Sequence, residues 1–181
     1  MRRAACFAVA MIAVAAALAP PASRGHGATP QKVVETIDIA APPAKVWAVV
    51  GDFQNFGWLP GVAKTEGDGG NAPEQARRRT TFTSGAIIED RLVQYDAGAM
   101  SLRYLIEKID FKVMPINNFS ATITVRPGAG GAIVEWKSRF YRAFPGGNPP
   151  DDYTDEKAVA AVTAMCRSGL AAMKAQIEAA P

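Results

Sequence analysis

Apolar residues recur near the end of the chain at alternating steps of three and four positions, between residues 151 and 179. This spacing stacks their side chains on one face of an α-helix. The stripe consists of Val159, Val162, Cys166, Leu170, Met173 and Ile177. Because such an apolar face has to be covered, the pattern predicts a long C-terminal helix that packs on the body of the domain before it.

The body of the chain shows instead the two-residue period of β-strands that have one apolar and one polar face. Strands are predicted at residues 32–39, 62–66, 76–83, 86–95, 100–109, 119–126 and 134–140. One-sided strands are typical of antiparallel sheets, so we expect a curved antiparallel sheet of about seven strands.

Between the first two strands, Pro42 or Pro43 favours the start of a short helix that runs to Val50, and Gly51 ends it. Residues 52–61 follow, and this segment is too rich in aromatic residues for a solvated linker. We interpret it as a second short helix or turn that plugs one end of the sheet. The prediction is therefore an α+β domain with two short helices after the first strand and a long helix across the sheet.

Residues 1–25 have the features of a secretory signal peptide, namely a positive start, an apolar run, and small residues with prolines. The run is about 16 residues long, shorter than the roughly 20 residues of a spanning helix. We therefore expect export with cleavage, and no stable membrane anchor afterwards. Residues 31–179 have the length of a single domain.

Loss of the leader changes the charge balance of the chain. Arg2, Arg3 and Arg24 would leave with it, so that 17 basic and 17 acidic residues remain of the original 20 and 17. The sequence shows neither a basic patch nor basic residues interleaved with aromatic ones, so we expect no nucleic-acid partner.

Cysteine and histidine usage excludes several kinds of catalytic site. Cys166 would be alone in the mature chain, and its place in the helix stripe predicts a buried, unreactive thiol. The single histidine, His26, falls in the cleavage region. Such a domain cannot assemble a Ser-His-Asp or Cys-His site or a histidine-ligated metal centre. The sequence therefore predicts no metal, no cofactor and no catalytic residue of these classes.

Charged residues on either side of residues 83–85 select the register of a predicted β-hairpin. A three-residue loop places Arg78 opposite Asp90, whereas a two-residue turn would place Arg78 opposite Arg91, which is a like-charge pair. We expect the first register, with Arg78 and Asp90 pointing inward as a partly buried ion pair. Two interpretations remain open: a structural pair that fixes the register, or a polar anchor for a ligand.

Large aromatic residues and one glycine complete the candidate site. The aromatic side chains are either core residues or the lining of an apolar pocket. A glycine in the middle of the last helix either lets the helix approach the sheet closely or leaves a void beneath it. The candidate ligand-binding residues are Trp58, Arg78, Asp90, Leu92, Tyr104, Trp136, Phe140, Met165 and Gly169.

The order of elements resembles the helix-grip fold of the SRPBCC superfamily, which includes START lipid-transfer domains, Bet v 1-like proteins and polyketide cyclases. The stretches that carry the resemblance are residues 45–53, 58–66, 90–96 and 134–137. They are similar to the MxaD-like branch, and the likeness covers about residues 32–177. Arg78 falls on the usual arginine of that branch, and Asp90 replaces its usual glutamate.

The resemblance implies a periplasmic protein that is not an enzyme. It would bind a hydrophobic small molecule in an apolar cavity, or act as an accessory protein of an oxidation system such as methanol dehydrogenase. The alternative is a polyketide cyclase- or dehydratase-like enzyme that uses Arg78, Asp90 and Tyr104.

Overall fold

Seven antiparallel strands form one sheet in the order β1-β7-β6-β5-β4-β3-β2. The computed structural model describes residues 27–180, so the predicted signal peptide lies outside the described residues. The elements are β1 (Gln31–Ile39), α1 (Pro43–Val50), β2 (Val62–Asp68), β3 (Arg77–Phe82), β4 (Ile87–Asp96), β5 (Ser101–Ile109), β6 (Ile116–Gly128), β7 (Gly131–Arg142), a 3-10 turn (Asp151–Tyr153) and α2 (Asp155–Ala179). This arrangement confirms the predicted helix-grip fold.

The segment after α1 differs from the prediction of a second short helix. Residues 52–61, called the aromatic segment below, form a series of turns. The side-chain oxygens of Asp52 and Asn55 accept hydrogen bonds from the backbone N–H groups of Gln54 and Gly57, each over 3.1 Å. Such local bonds compete with helical hydrogen bonding and favour turns.

Thr154 caps the N-terminus of helix α2. Its hydroxyl accepts a hydrogen bond from the backbone N–H of Lys157 over 3.2 Å. Asp155 and Glu156 add negative charge in its first turn, where the helix dipole favours it. The predicted stripe is buried from Val162 to Ile177, and Val159 is partly exposed. The helix packs mainly on β1 and β7. Between 27 and 180 we find no helix with the length and apolar character to cross a membrane.

The other half of the inner face is covered by the aromatic segment. Its end is joined to the β3–β4 hairpin, because the backbone N–H of Thr83 donates to the carbonyl oxygen of Gly61 over 2.8 Å. Gly61 has a φ of +80°, a conformation that favours glycine. The interior therefore lies between the sheet on one side and helix α2 with the aromatic segment on the other.

Candidate functional site

The β3–β4 hairpin has the predicted register. Arg78 lies opposite Asp90, and Arg79 lies opposite Glu89. The loop closes through a hydrogen bond from the N–H of Phe82 to the carbonyl oxygen of Ala86, over 2.9 Å. Strand alternation turns the first pair toward the interior and the second toward solvent.

Arg78 and Asp90 form a buried ion pair, with 4% and 1% of their surface exposed. Nε and Nη2 of Arg78 both donate to Oδ2 of Asp90, over 3.0 and 2.7 Å. Nη1 donates to the backbone carbonyl oxygen of Phe53 over 2.9 Å. The pair therefore ties the hairpin to the aromatic segment across the interior.

Aromatic rings enclose the guanidinium group of Arg78 as well. Its central carbon lies 3.8 Å from the ring centre of Phe56, 4.5 Å from that of Phe53 and 5.3 Å from that of Tyr104. Cation–π contacts of this kind add attraction in a desolvated site. These contacts favour the structural interpretation of the pair, because a ligand has to displace a ring to reach Arg78.

Burial also sets the protonation of the two neighbouring acids. It raises the pKa of the Asp90 carboxyl, and the positive charge of Arg78 opposes this effect. Burial, together with the charge of Asp90, raises the pKa of Tyr104 well above its usual value. The Tyr104 phenol is therefore protonated at neutral pH and is a poor general base.

The predicted aromatic residues are all buried and lie in one connected cluster, the aromatic interior. Rings pack edge to face between Trp58 and Trp136, with centres 5.5 Å apart, and between Phe56 and Trp58, 4.8 Å apart. Phe140 joins the cluster through Phe119, with ring centres 6.2 Å apart. Leu92 is also fully buried, so these predicted residues belong to the packed core.

Sequence reasoning missed three of these rings as site residues: Phe53, Phe56 and Phe119. Two belong to the aromatic segment, whose composition had indicated a plug without saying which rings point inward. Only the path of the segment over Arg78 reveals their contact with the ion pair.

Gly169 allows helix α2 to lie close to the interior. A Cβ atom at this position would lie 2.8 Å from Leu59 Cδ1, 3.0 Å from Trp136 Cζ3 and 3.2 Å from Trp58 Cζ3. The sequence left open whether the helix approaches the sheet closely or leaves a void beneath it. The structure shows the close approach. Met165 differs from the other candidates because it is only partly buried, at the edge of the core.

Several polar atoms in the interior have no hydrogen-bond partner among residues 27–180. The indole nitrogens of Trp58 and Trp136 are buried and unpaired, and so are the hydroxyl oxygens of Thr65 and Thr80. The Tyr104 hydroxyl lies near the Trp136 indole, but the indole nitrogen has no hydrogen-bond partner among residues 27–180. Each unpaired buried donor costs about 1–3 kcal/mol, so such groups call for a partner such as water or a ligand.

The described part of the chain shows neither a group of metal ligands nor an accessible thiol. Residues 27–180 contain no group of three or more histidine, cysteine or acidic side chains that could hold a metal ion. Cys166 is buried, and its sulfur lies 3.7 Å from the Ser138 hydroxyl. Burial raises the pKa of this thiol to about 11, which agrees with the predicted unreactive cysteine.

A model of the family described as polyketide cyclase / dehydrase and lipid transport matches residues 30–178. No curated protein matches the chain. Among solved structures, the chain is similar to the protein XoxI from Bacillus cereus, with 23% identity, a TM-score of 0.67, and coverage of 81% of this chain and 94% of that one.

Two further structures show the same likeness. A protein from Nitrosospira multiformis is 24% identical, with a TM-score of 0.66 and coverage of 82% of this chain and 97% of that one. Norcoclaurine synthase from Thalictrum flavum is 12% identical, with a TM-score of 0.62 and coverage of 95% and 100%. At these identities the likenesses show a shared fold.

Proposed function

The chain belongs to the polyketide cyclase / dehydrase and lipid transport family of the SRPBCC superfamily, and on this premise we propose that it binds a small, largely apolar molecule in its interior without catalysing a reaction. One observation carries the proposal: the indole rings of Trp58 and Trp136 pack against each other, and the N–H group of each is buried and unpaired among residues 27–180. A bound molecule with a hydrogen-bond acceptor would satisfy them.

The surroundings define the chemistry of this ligand. Aromatic and other apolar side chains pack around both indoles, so a ligand bound there presents a mostly apolar surface. The unpaired groups are N–H and O–H donors, so the ligand carries at least one neutral acceptor such as a carbonyl or ether oxygen. Arg78 is already paired with Asp90, so its charge is not available to a ligand carboxylate.

The same contacts give little support to a cyclase- or dehydratase-like enzyme. Such chemistry would use Arg78, Asp90 and Tyr104 as acid, base or anchor. Here the carboxylate is bound to the guanidinium, and the raised pKa of the Tyr104 phenol keeps it protonated. Phe53 and Phe56 cover the guanidinium group of Arg78 and the ring of Tyr104.

Ligand access requires movement of the aromatic segment, because Trp58 and Leu59 fill the space beneath Gly169. Besides the buried bond from Arg78 to the carbonyl oxygen of Phe53, a few hydrogen bonds outside the interior hold this segment. The N–H of Phe53 donates to Oδ1 of Asn71 over 2.9 Å, and Nε2 of Gln54 donates to the carbonyl oxygens of Asp68, at the end of β2, and of Gly70 in the loop after it. The segment has no regular secondary structure, so it can shift without breaking a helix or the sheet.

Binding can be measured with 6-propionyl-2-(dimethylamino)naphthalene, a neutral aromatic ketone whose emission moves to the blue when it leaves water. We expect saturable binding to the wild-type protein. Trp136→Phe keeps an aromatic ring but removes one N–H donor. It should weaken binding about fivefold to tenfold, the equivalent of one hydrogen bond of about 1 kcal/mol. Trp47→Phe is the matched control, because Trp47 lies at the edge of the core and its ring contacts Tyr95, and this variant should bind like wild type.

A second variant tests the location of the ligand. Gly169→Leu places a side chain against Leu59 and both indoles, and should abolish probe binding. Ala164→Leu adds the same side chain on the exposed face of the same helix and should not. The proposal fails if wild type does not bind the ketone, or if Trp136→Phe and Trp47→Phe bind it equally.

The second candidate function is that of an exported accessory protein acting on a protein partner, as the likeness to the MxaD-like branch suggests. The close packing of the interior at Gly169 favours it. Expression in a methanol-oxidising host tests it directly. The mature protein should be recovered from the periplasm, cleaved between residues 23 and 28, and should co-purify with methanol dehydrogenase. Recovery of the uncleaved chain from the cytoplasm would contradict export.

A further inference from the structure

The outer face of the sheet has two regions that differ in how their cations are paired. On β2 to β5, arginine and lysine side chains lie next to acids and form ion pairs. These pairs are Lys64–Glu66, Arg77–Glu107, Arg79–Glu89, Arg91–Glu74, Arg91–Glu107 and Lys108–Glu89. This region is a charge-matched, solvated surface.

Three cations on β5 and β7 lack such partners. Arg103, Lys137 and Arg139, called the basic patch, make no ion pair and no side-chain hydrogen bond with any residue between 27 and 180. All three have outward-facing side chains. The basic patch therefore lies on the side of the sheet opposite the aromatic interior.

Strand register brings the basic patch together. Arg103 lies opposite Thr122, which in turn lies opposite Lys137, so the two cations are two strands apart in one row. Their Cα atoms are then about 10 Å apart, which is within the joint reach of two long side chains. Arg139 lies two residues beyond Lys137 on the same face, opposite Ser120.

These side chains surround a cleft of about 330 Å³. It is lined by Gln94, Arg103, Ser120, Thr122, Lys137 and Arg139. The lining offers three positive charges, two hydroxyl groups and one amide, and no carboxylate. None of the six side chains makes a hydrogen bond with another described side chain, so their donors all remain open to a ligand.

The arrangement works against folding stability. Like charges on neighbouring strands repel, and Lys32 lies directly opposite Arg139, which adds a fourth positive charge. The acids that neutralise the β2 to β5 region are absent from the cleft. An anion bound between these cations would remove the repulsion, and its oxygens would accept the open donors.

We propose that the cleft of the basic patch binds a phosphate-type oxyanion. A phosphate group carries a negative charge of about two and several oxygens that accept hydrogen bonds. These properties match the three cations and two hydroxyl donors of the cleft. The planar guanidinium groups of Arg103 and Arg139 can each bind two oxygens, and Lys137 supplies a compact point charge. Free phosphate and the headgroup of an anionic phospholipid offer this same chemistry.

Titration calorimetry with inorganic phosphate at low ionic strength tests the site, and sedimentation with vesicles tests the lipid source. The vesicles contain phosphatidylcholine with or without phosphatidic acid. The Lys137→Gln/Arg139→Gln variant should lose at least about tenfold in affinity for its anion, since charge-assisted bonds are the strong ones. The control variant, Arg79→Gln/Lys108→Gln, removes the same charge from the paired region and should bind within about twofold of wild type.

Calorimetry and vesicle sedimentation together distinguish free phosphate from a phospholipid headgroup. Heat on phosphate addition indicates a free-phosphate site, and sedimentation only with phosphatidic acid indicates a headgroup site. The inference is overturned if the wild-type protein binds neither, or if the control variant loses as much affinity as the patch variant. This inference does not depend on whether the interior binds the aromatic ketone, because the two sites lie on opposite sides of the sheet.

Discussion

Arg78 and Arg139 lie on the same sheet, yet their surroundings are opposite. Arg78 is buried, and its donors meet the carboxylate of Asp90, the carbonyl oxygen of Phe53 and three aromatic faces. Arg139 points to solvent between other cations and meets no acid within residues 27–180. The comparison separates an arginine that organises the fold from one whose hydrogen bonds remain open to a ligand.

Burial explains why the first kind has to be fully paired. Moving a charge out of water costs several kcal/mol unless a partner and hydrogen bonds compensate it, so an intact buried pair contributes little net stability. Removal of one partner is costly, because the other charge stays buried. At the surface, water screens each charge and both the gain and the loss are small.

The largest expected effect breaks the buried pair. Asp90→Asn keeps the shape of the side chain but leaves Arg78 without a counter-charge, and should lower the free energy of unfolding by about 3–5 kcal/mol. Urea denaturation followed by far-UV circular dichroism measures this. The control is Glu89→Gln on the same strand, which breaks the surface ion pairs with Arg79 and Lys108 and should change stability by less than about 1 kcal/mol. Equal losses in both variants would contradict the structural role of the buried pair.

A second buried group extends the comparison to pH. Burial raises the pKa of the Cys166 thiol from 9.0 to about 11, so the folded protein keeps a proton that the unfolded chain loses over that range. The stability that the protonated thiol contributes to the folded state is fully present below pH 9. It is lost as pH rises toward 11, which lowers the free energy of unfolding by up to about 2–3 kcal/mol.

The free energy of unfolding of wild type and of Cys166→Ala, measured between these pH values, isolates the contribution of the thiol. As pH rises, the wild type should lose stability relative to the Cys166→Ala variant. A difference that stays constant would mean that the thiol is not held in its neutral form by burial.

The smallest expected effect concerns the two regions of the outer face. Arg79→Gln removes a paired cation and should cost a few tenths of a kcal/mol, whereas Lys137→Gln relieves repulsion and should stabilise by a similar amount. Thermal unfolding at low and high salt measures both, and salt should reduce both changes. The same sign for the two variants would remove the distinction between the paired region and the basic patch.

Local patterns in the sequence predicted much of the fold. Strand and helix periodicity identified all seven strands and α2, and charge pairing across one turn selected the register of Arg78 and Asp90. The prediction of a second short helix was wrong, because the side-chain oxygens of Asp52 and Asn55 accept backbone hydrogen bonds that favour turns there. The predicted site residues are buried, apart from Met165 at the edge of the core, and their contact with a ligand stays a prediction.

The features that the sequence determined by itself depend on neighbours within about a dozen positions, namely the period of each element and the hairpin register. Only the tertiary structure decided which distant residues meet. It placed the aromatic segment over Arg78, filled the space at Gly169, and brought Arg103 and Lys137 together across β6. The sequence showed no basic patch, because its cations are separated along the chain and become neighbours only when three strands pair. The physical reason is that periodicity and turn chemistry act locally, whereas contacts between distant residues depend on strand order and on how the interior closes.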